Sequence, residues 1–156
     1  MTDPTSDWTP IPGDVSLLPA LRELYECALE VNRVASRHLD TLGLTPARFE
    51  ILAALGDTDG MTVKELGEQS LTTKGNLLHV LSHLEGQGLV RRSKSTGDSR
   101  QTLVTLTPEG QRLYEQTFLV HVTYMRQFFD QLAPDELAML TKQLTKLKGI
   151  FAREHA

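Results

Sequence analysis

Between Thr62 and Thr107 the apolar pattern changes from a helical period to alternation, and that change limits the chain to very few folds. Thr62 with Glu65 three residues later forms a capping box, in which the hydroxyl accepts the N3 amide and the carboxylate returns to the cap amide. A helix is expected to start there. It turns Val63 and Leu66 inward and is short, because Gly67 and the polar run Glu68-Gln69-Ser70 weaken it before Leu71. Thr72 and Thr73 are the next capping residues, so only a few residues separate it from a second helix predicted over Thr73–Glu85. In that helix Leu77, Leu78, Leu81 and Leu84 form one apolar stripe ending at Gly86 and Gly88, and Lys74, Asn76, His79, Ser82 and His83 occupy the opposite face. After Gly88 the segments Leu89–Lys94 and Gln101–Leu106 alternate and contain β-branched residues, with the turn cluster Ser95-Thr96-Gly97-Asp98 between them. This is a hairpin.

Two short helices, a tight turn and a hairpin make a winged helix-turn-helix, whose second helix has the width of a major groove. The hairpin carries Arg91, Arg92, Lys94 and Arg100 against a single acid, Asp98, in a chain whose net charge is −4. Local positive charge on an acidic chain is the pattern of a phosphate-binding footprint. Charged hairpin edges also discourage strand-to-strand aggregation, which is the plainer reading. On the DNA reading, Thr72, Thr73, Lys74, Asn76, His79, His83, Arg91, Arg92, Lys94, Asp98 and Arg100 form the contact surface, with Asn76 as the best base reader because its amide can pair bidentately with adenine.

The run GLVRRSKSTGDSRQTLVTLTPEG resembles the signature of the MarR family (multiple antibiotic resistance regulators): a helix ending in Gly-Leu-Val, a wing tip with Asp-x-Arg, and a second wing strand ending Leu-Thr-x-x-Gly. Asp98, Arg100, Leu106, Thr107 and Gly110 occupy those positions, and Leu44–Leu52 is similar to the family's second helix. The resemblance implies a homodimer whose first, fifth and sixth helices interlock above two winged domains, with Arg100 in the minor groove and Asp98 orienting the wing. Ser99 stands where many members carry a further arginine.

The flanking sequence fits that expectation. Leu17, Leu21, Leu24, Ala28, Val31, Ala35, His38 and Leu42 form a heptad seam, and Leu137, Leu140, Leu144, Leu147 and Phe151 repeat it near the other end. Between them a helix is expected from the cap Thr107, with Pro108 at its first position, to about Leu132. Heptads can also close a monomeric bundle. The expected architecture is therefore mainly α, a winged helix-turn-helix with a small β-hairpin wing, plus long N- and C-terminal helices forming a dimerisation platform. Residues 1–16, with Pro4, Pro10 and Pro12, read as a flexible arm, and 17–156 as one domain. Within it 43–107 is the winged core, and 17–42 and 108–156 are the dimerisation helices. No apolar run reaches membrane-spanning length and no signal peptide is evident, so a cytoplasmic, membrane-free location is expected, and a lone cysteine suits a reducing compartment.

Few residues suggest other chemistry. No nucleophile elbow, zincin motif or phosphate loop is present, so neither catalysis nor a cofactor is expected. His79 and His83 are spaced like helical zinc ligands, but nothing on that face completes a site, and no metal is expected. One branch of the resembling family senses organic hydroperoxides with a first-helix cysteine. Cys27 lies about two turns closer to the Thr45-Pro46 motif than that residue does, and its acidic neighbours Glu26 and Glu30 oppose a thiolate. An inert helical cysteine is the preferred reading, with thiol-based peroxide sensing as the alternative. Trp8 has no charged partners of the kind the urate-responsive branch uses. An apolar effector pocket for a small aromatic anion is expected around His38, Arg48 and Phe49, with Arg48 in a helix's first turn as anion partner. A winged helix serving only protein interaction is the other alternative. The cationic wing beside a polar helix face speaks against it.

Overall fold

The structure is a computed structural model that describes residues 17–70, 74–94 and 101–153. The expected arm with Trp8, the caps Thr72 and Thr73, the turn Ser95–Asp98 and Arg100 lie outside the described residues. The chain divides into two units, Met1–Val34 and Ala35–Ala156. The elements in order are α1 (Leu17–Thr41), α2 (Pro46–Leu55), β1 (Met61–Thr62), α3 (Val63–Gln69), α4 (Lys74–Gly86), β2 (Val90–Lys94), β3 (Thr102–Leu106), α5 (Pro108–Phe129) and α6 (Pro134–Ala152).

In the first unit, the described part of α1 exposes Leu17, Leu18, Leu21, Tyr25, Leu29 and Val31. Cys27 is exposed as well. Ion pairs Arg22–Glu26 and Glu30–Arg33, at helical spacings, hold the charges flanking it.

In the second unit, sequence signals explain where helices begin. Thr45 caps α2 with Pro46 at the first position, and Thr107 caps α5 with Pro108 likewise. The capping box at Thr62 is closed in both directions: Glu65 N–H donates to Thr62 Oγ1 at 3.2 Å, and Thr62 N–H donates to Glu65 Oε2 at 2.7 Å. Helix α5 ends at Phe129, earlier than expected, with Asp130 as its C-cap donating the last i→i−4 bond to the Arg126 carbonyl.

The sheet has three antiparallel strands in the order β1-β3-β2, pairing Arg91 with Thr105, Arg92 with Val104 and Lys94 with Thr102. Strand β1 was not expected. Its two residues are too few for alternation to show. It reaches β3 at Gly60, where φ is 120° and any side chain would meet Thr105 and the Val104 carbonyl.

The core of the winged unit is Ile51, Leu55, Leu66, Leu77, Val80, Leu81, Leu84, Val90 and Val104 with Met61. A second cluster, Leu39, Leu44 and Leu52 with Phe49 and Leu113 beside it, lies under α5. Each fully buried leucine contributes about 1.5–3 kcal/mol relative to exposure. Helix α5 joins the wing through a contact that explains the glycine of the Leu-Thr-x-x-Gly motif: a Cβ on Gly110 would overlap the Leu89 carbonyl. Tyr114 of α5 donates to Asp57 at 2.9 Å, and burial first, then that bond, raises its phenol above the usual range.

Candidate nucleic-acid interface

Helix α4 sorts its side chains sharply. Leu77, Val80, Leu81 and Leu84 are buried, and their mean direction leaves Gly75, Asn76, Leu78, His79, Ser82 and His83 on the outside. Leu78, assigned to the buried stripe from its leucine neighbours, is 51% exposed. At 100° per residue it lies about a quarter-turn away from Leu77, and Val80 fills the inward position instead. Lys74 is the first described residue of the helix, and the expected start at Thr73 lies outside the described residues.

The outward face has two flanks. Toward α2, Asn76, His79 and His83 border a groove of about 540 Å³ whose other wall is Thr45, Pro46, Ala47 and Arg48. Toward the wing, Leu78 borders a groove of about 330 Å³ with Val63, Lys64, Arg92 and Thr102. The centre of the face between them is Gly75, His79 and Ser82.

Of the wing cations, Arg91 and Lys94 are exposed. Arg92 is engaged. Its Nε donates to Glu85 Oε2 at 2.8 Å, its Nη2 pairs with the same carboxylate, and its backbone N–H donates to Glu85 Oε1 at 3.2 Å. Ser82 Oγ accepts a further bond from Nη2 at 3.4 Å. These side-chain bonds hold the Glu85 carboxyl below the usual carboxylate range. Arg92 thus fastens the last turn of α4 to β2, a role that sequence reading missed because Glu85 and Arg92 are separated by the turn that sets their register. Asp98, Arg100, Thr72 and Thr73, and the side chain of Lys74, lie outside the described residues.

The effector set divides. His38 and Phe49 meet around α5: His38 Nδ1 is 2.9 Å from His121 Nδ1, the His38 ring stacks on Tyr124 at 3.9 Å, and Phe49 meets His121 edge-on at 4.7 Å. Arg48 does not join them. Its Nη2 donates to Gln87 Oε1 at 2.7 Å and its Nη1 to the Gly43 carbonyl at 3.3 Å, which carries it to the α4 groove. His121 lies 83 positions from His38 in the sequence, and only the fold brings the two together. Burial first, then the charge of His38, lowers the pKa of His121. Among the described residues, no group of three or more His, Cys, Asp or Glu gathers to hold a metal. No described helix is long and apolar enough to cross a membrane.

Comparison with known proteins bears on the same segments. The sequence model of the MarR family matches residues 44–102, from just before α2 to the first residue of β3. The organic hydroperoxide resistance transcriptional regulator of Bacillus subtilis is 34% identical over 93 residues, covering 60% of this chain and 63% of that protein. Among solved structures, AbsC, a MarR family transcriptional regulator from Streptomyces coelicolor, aligns with a TM-score of 0.82 at 27% identity, over 90% of this chain and 97% of its own. A mutant MarR from Escherichia coli, solved in complex with operator DNA, aligns with a TM-score of 0.74 at 28% identity, over 86% of this chain and 99% of its own.

Proposed function

The chain belongs to the MarR family of winged-helix transcriptional regulators, and from that premise we propose that it is a homodimeric repressor that binds a pseudopalindromic operator and is released by a small aromatic ligand. It is a regulator rather than an enzyme. The observation that carries the DNA-binding reading is the outward face of α4: a polar surface on a helix whose opposite side is fully packed, beside the exposed Arg91 and Lys94. The Escherichia coli relative with the same fold was solved on operator DNA. Helix α4 enters the major groove, Asn76 and His79 face bases, and Arg91, Lys94, Lys74 and the wing residues Asp98 and Arg100 grip or orient the backbone.

Dimerisation rests on α6, which has no buried residue although it carries Met139, Leu140, Leu144, Ile150 and Phe151. Such a helix gains too little from its own chain to offset ordering, and a second copy supplies the missing cover. The protein works in the cytoplasm, where operators are.

Release is assigned to the aromatic cluster of His38, Phe49, His121 and Tyr124, where α1, α2 and α5 converge; Arg48 serves the DNA-facing groove instead. A ligand that weakens operator binding must prefer the DNA-free form, and a coupling of about 1–3 kcal/mol corresponds to about 5–150-fold. A second reading, release by thiol oxidation, is favoured by the exposure of Cys27 together with the name of the Bacillus subtilis relative.

Selection of bound duplexes from a random pool tests the whole reading. Enriched sites should be pseudopalindromic, with half-sites about 10 bp apart centre to centre, the spacing that a protein two-fold imposes on B-DNA. Adding salicylate-like anions, or separately an organic hydroperoxide, to the selected complex decides between the two release mechanisms. Peroxide release that vanishes in Cys27→Ser removes the ligand model.

A further inference from the structure

Among the described side chains of α4, Leu78 is the one whose chemistry contradicts its surroundings. Its leucine neighbours Leu77, Leu81 and Leu84 are 0–1% exposed and already fill the core, so Leu78 is not needed there. It stands outward at 51% exposure, adjacent in sequence to His79 and one turn before Ser82. An apolar side chain on the wing-side flank of a polar, groove-sized face costs solubility and gives the isolated protein nothing.

The base edges of a major groove offer one apolar feature. Donors and acceptors distinguish the other positions, but thymine alone presents a C5 methyl, and a leucine can neither donate nor accept a hydrogen bond. The surroundings fit a nucleic acid more than a protein. The 330 Å³ groove beside Leu78 has Val63 at one side and, on its walls, Arg92 held by Glu85 and the largely exposed Lys64, whose ammonium lies 3.9 Å from Glu68, so the cation on the open side of the groove is Lys64. Arg92, fixed to Glu85 and bonded to Ser82, also holds the wing wall of that groove at a set distance from the helix.

The geometry points to Leu78 as a specificity-determining residue that reads the methyl group of one thymine in each half-site. This rests on the DNA-binding reading above, and adds to it a base preference on the wing side of the helix, distinct from the hydrogen-bonding readout assigned to Asn76.

Replacing thymine by deoxyuridine removes the methyl and nothing else. The selected operator is made with each thymine so replaced in turn, and its affinity for the full chain is measured beside that of Leu78→Ala and Leu78→Met. One thymine per half-site should cost the wild-type protein about fourfold on demethylation, which is the factor equivalent to about 0.8 kcal/mol for one buried methyl-sized group. Leu78→Met, still apolar, should keep that discrimination. Leu78→Ala should lose it, binding thymine and uracil operators alike with an unchanged dependence on salt. Since the side chain lies outside the core, helicity and denaturation midpoint report whether the alanine variant is folded. A uracil scan that leaves wild-type affinity unchanged at every position overturns the proposal while the DNA-binding reading stands, as does a methyl effect that persists in Leu78→Ala. A pool that yields no enriched sequence overturns both.

Discussion

Helices α4 and α6 carry nearly the same pattern and meet opposite fates. Both place leucines at helical spacing, α4 over 13 residues and α6 over 19. In α4 the stripe is covered by α2, α3 and the sheet, and Leu81 and Leu84 are 0% exposed. In α6 no residue is buried, and Leu140 and Leu144 are 40% and 44% exposed. An amphipathic period states that a face will be covered without stating by whom. Here one stripe is satisfied within the chain, and on the dimer reading the other is left for a second copy.

The largest effects separate these two cases. Leu81→Ala should lower unfolding free energy by about 2–5 kcal/mol in denaturant titration, independently of protein concentration, because a sealed cavity is left in a packed core. Leu140→Glu with Leu144→Glu should leave the winged core folded and convert a dimer to the 17.4 kDa monomer in light scattering, with operator affinity falling in parallel. If the double variant stays dimeric with unaltered DNA binding, α6 is not the seam.

The contrast also marks what could be read before the fold was known. Caps were legible because they are local: Thr62 with Glu65, Thr45 with Pro46 and Thr107 with Pro108 each need only four consecutive residues. The winged order of elements followed from the change of period at Gly88. The inward direction of Leu78 was misjudged, since four leucines in eight residues do not show which three point the same way; burial of Val80 decides it. The bonds of Arg92 to Glu85 and of His38 to His121 were not legible at all, because they depend on strand register and on two helices meeting 83 positions apart. Within the proposed contact surface, the exposed positions of α4 were mostly readable, whereas the bonds of Arg92 and Arg48 depended on neighbours brought by folding.

Helix α5 lies between the two extremes. It buries Gly110, Tyr114, Thr117 and His121 on one side and exposes Leu119, Val120 and Val122 on the other. His121 therefore reports on the covered side. Its pKa is below the ordinary value of 6.5, so just below that value the unfolded chain binds more protons than the folded one. Stability then rises with pH: the contribution is complete above about 6.5 and is lost as pH falls toward the lower folded value. Midpoints of urea unfolding should drop with acidification across that window in the wild type, and less steeply in His121→Phe. Equal slopes in the two proteins would mean that the covered side of α5 does not carry the titration.

The smallest expected effect concerns α4 alone, where the covered and open sides belong to one helix. Gly75 sits at the centre of the open side, and a Cβ built on it meets nothing within 4 Å. Nothing inside the protein requires glycine there, and glycine weakens a helix by up to about 1 kcal/mol relative to alanine. On the DNA reading the missing side chain lets the helix N-terminus approach the base edges closely. Gly75→Ala should accordingly raise the unfolding midpoint slightly while lowering operator affinity, so that stability and binding move in opposite directions. A purely structural role for the position predicts that both move together or that binding is untouched. Either of those results would place the closest approach to DNA elsewhere on α4, toward the flank that carries Asn76 and His83.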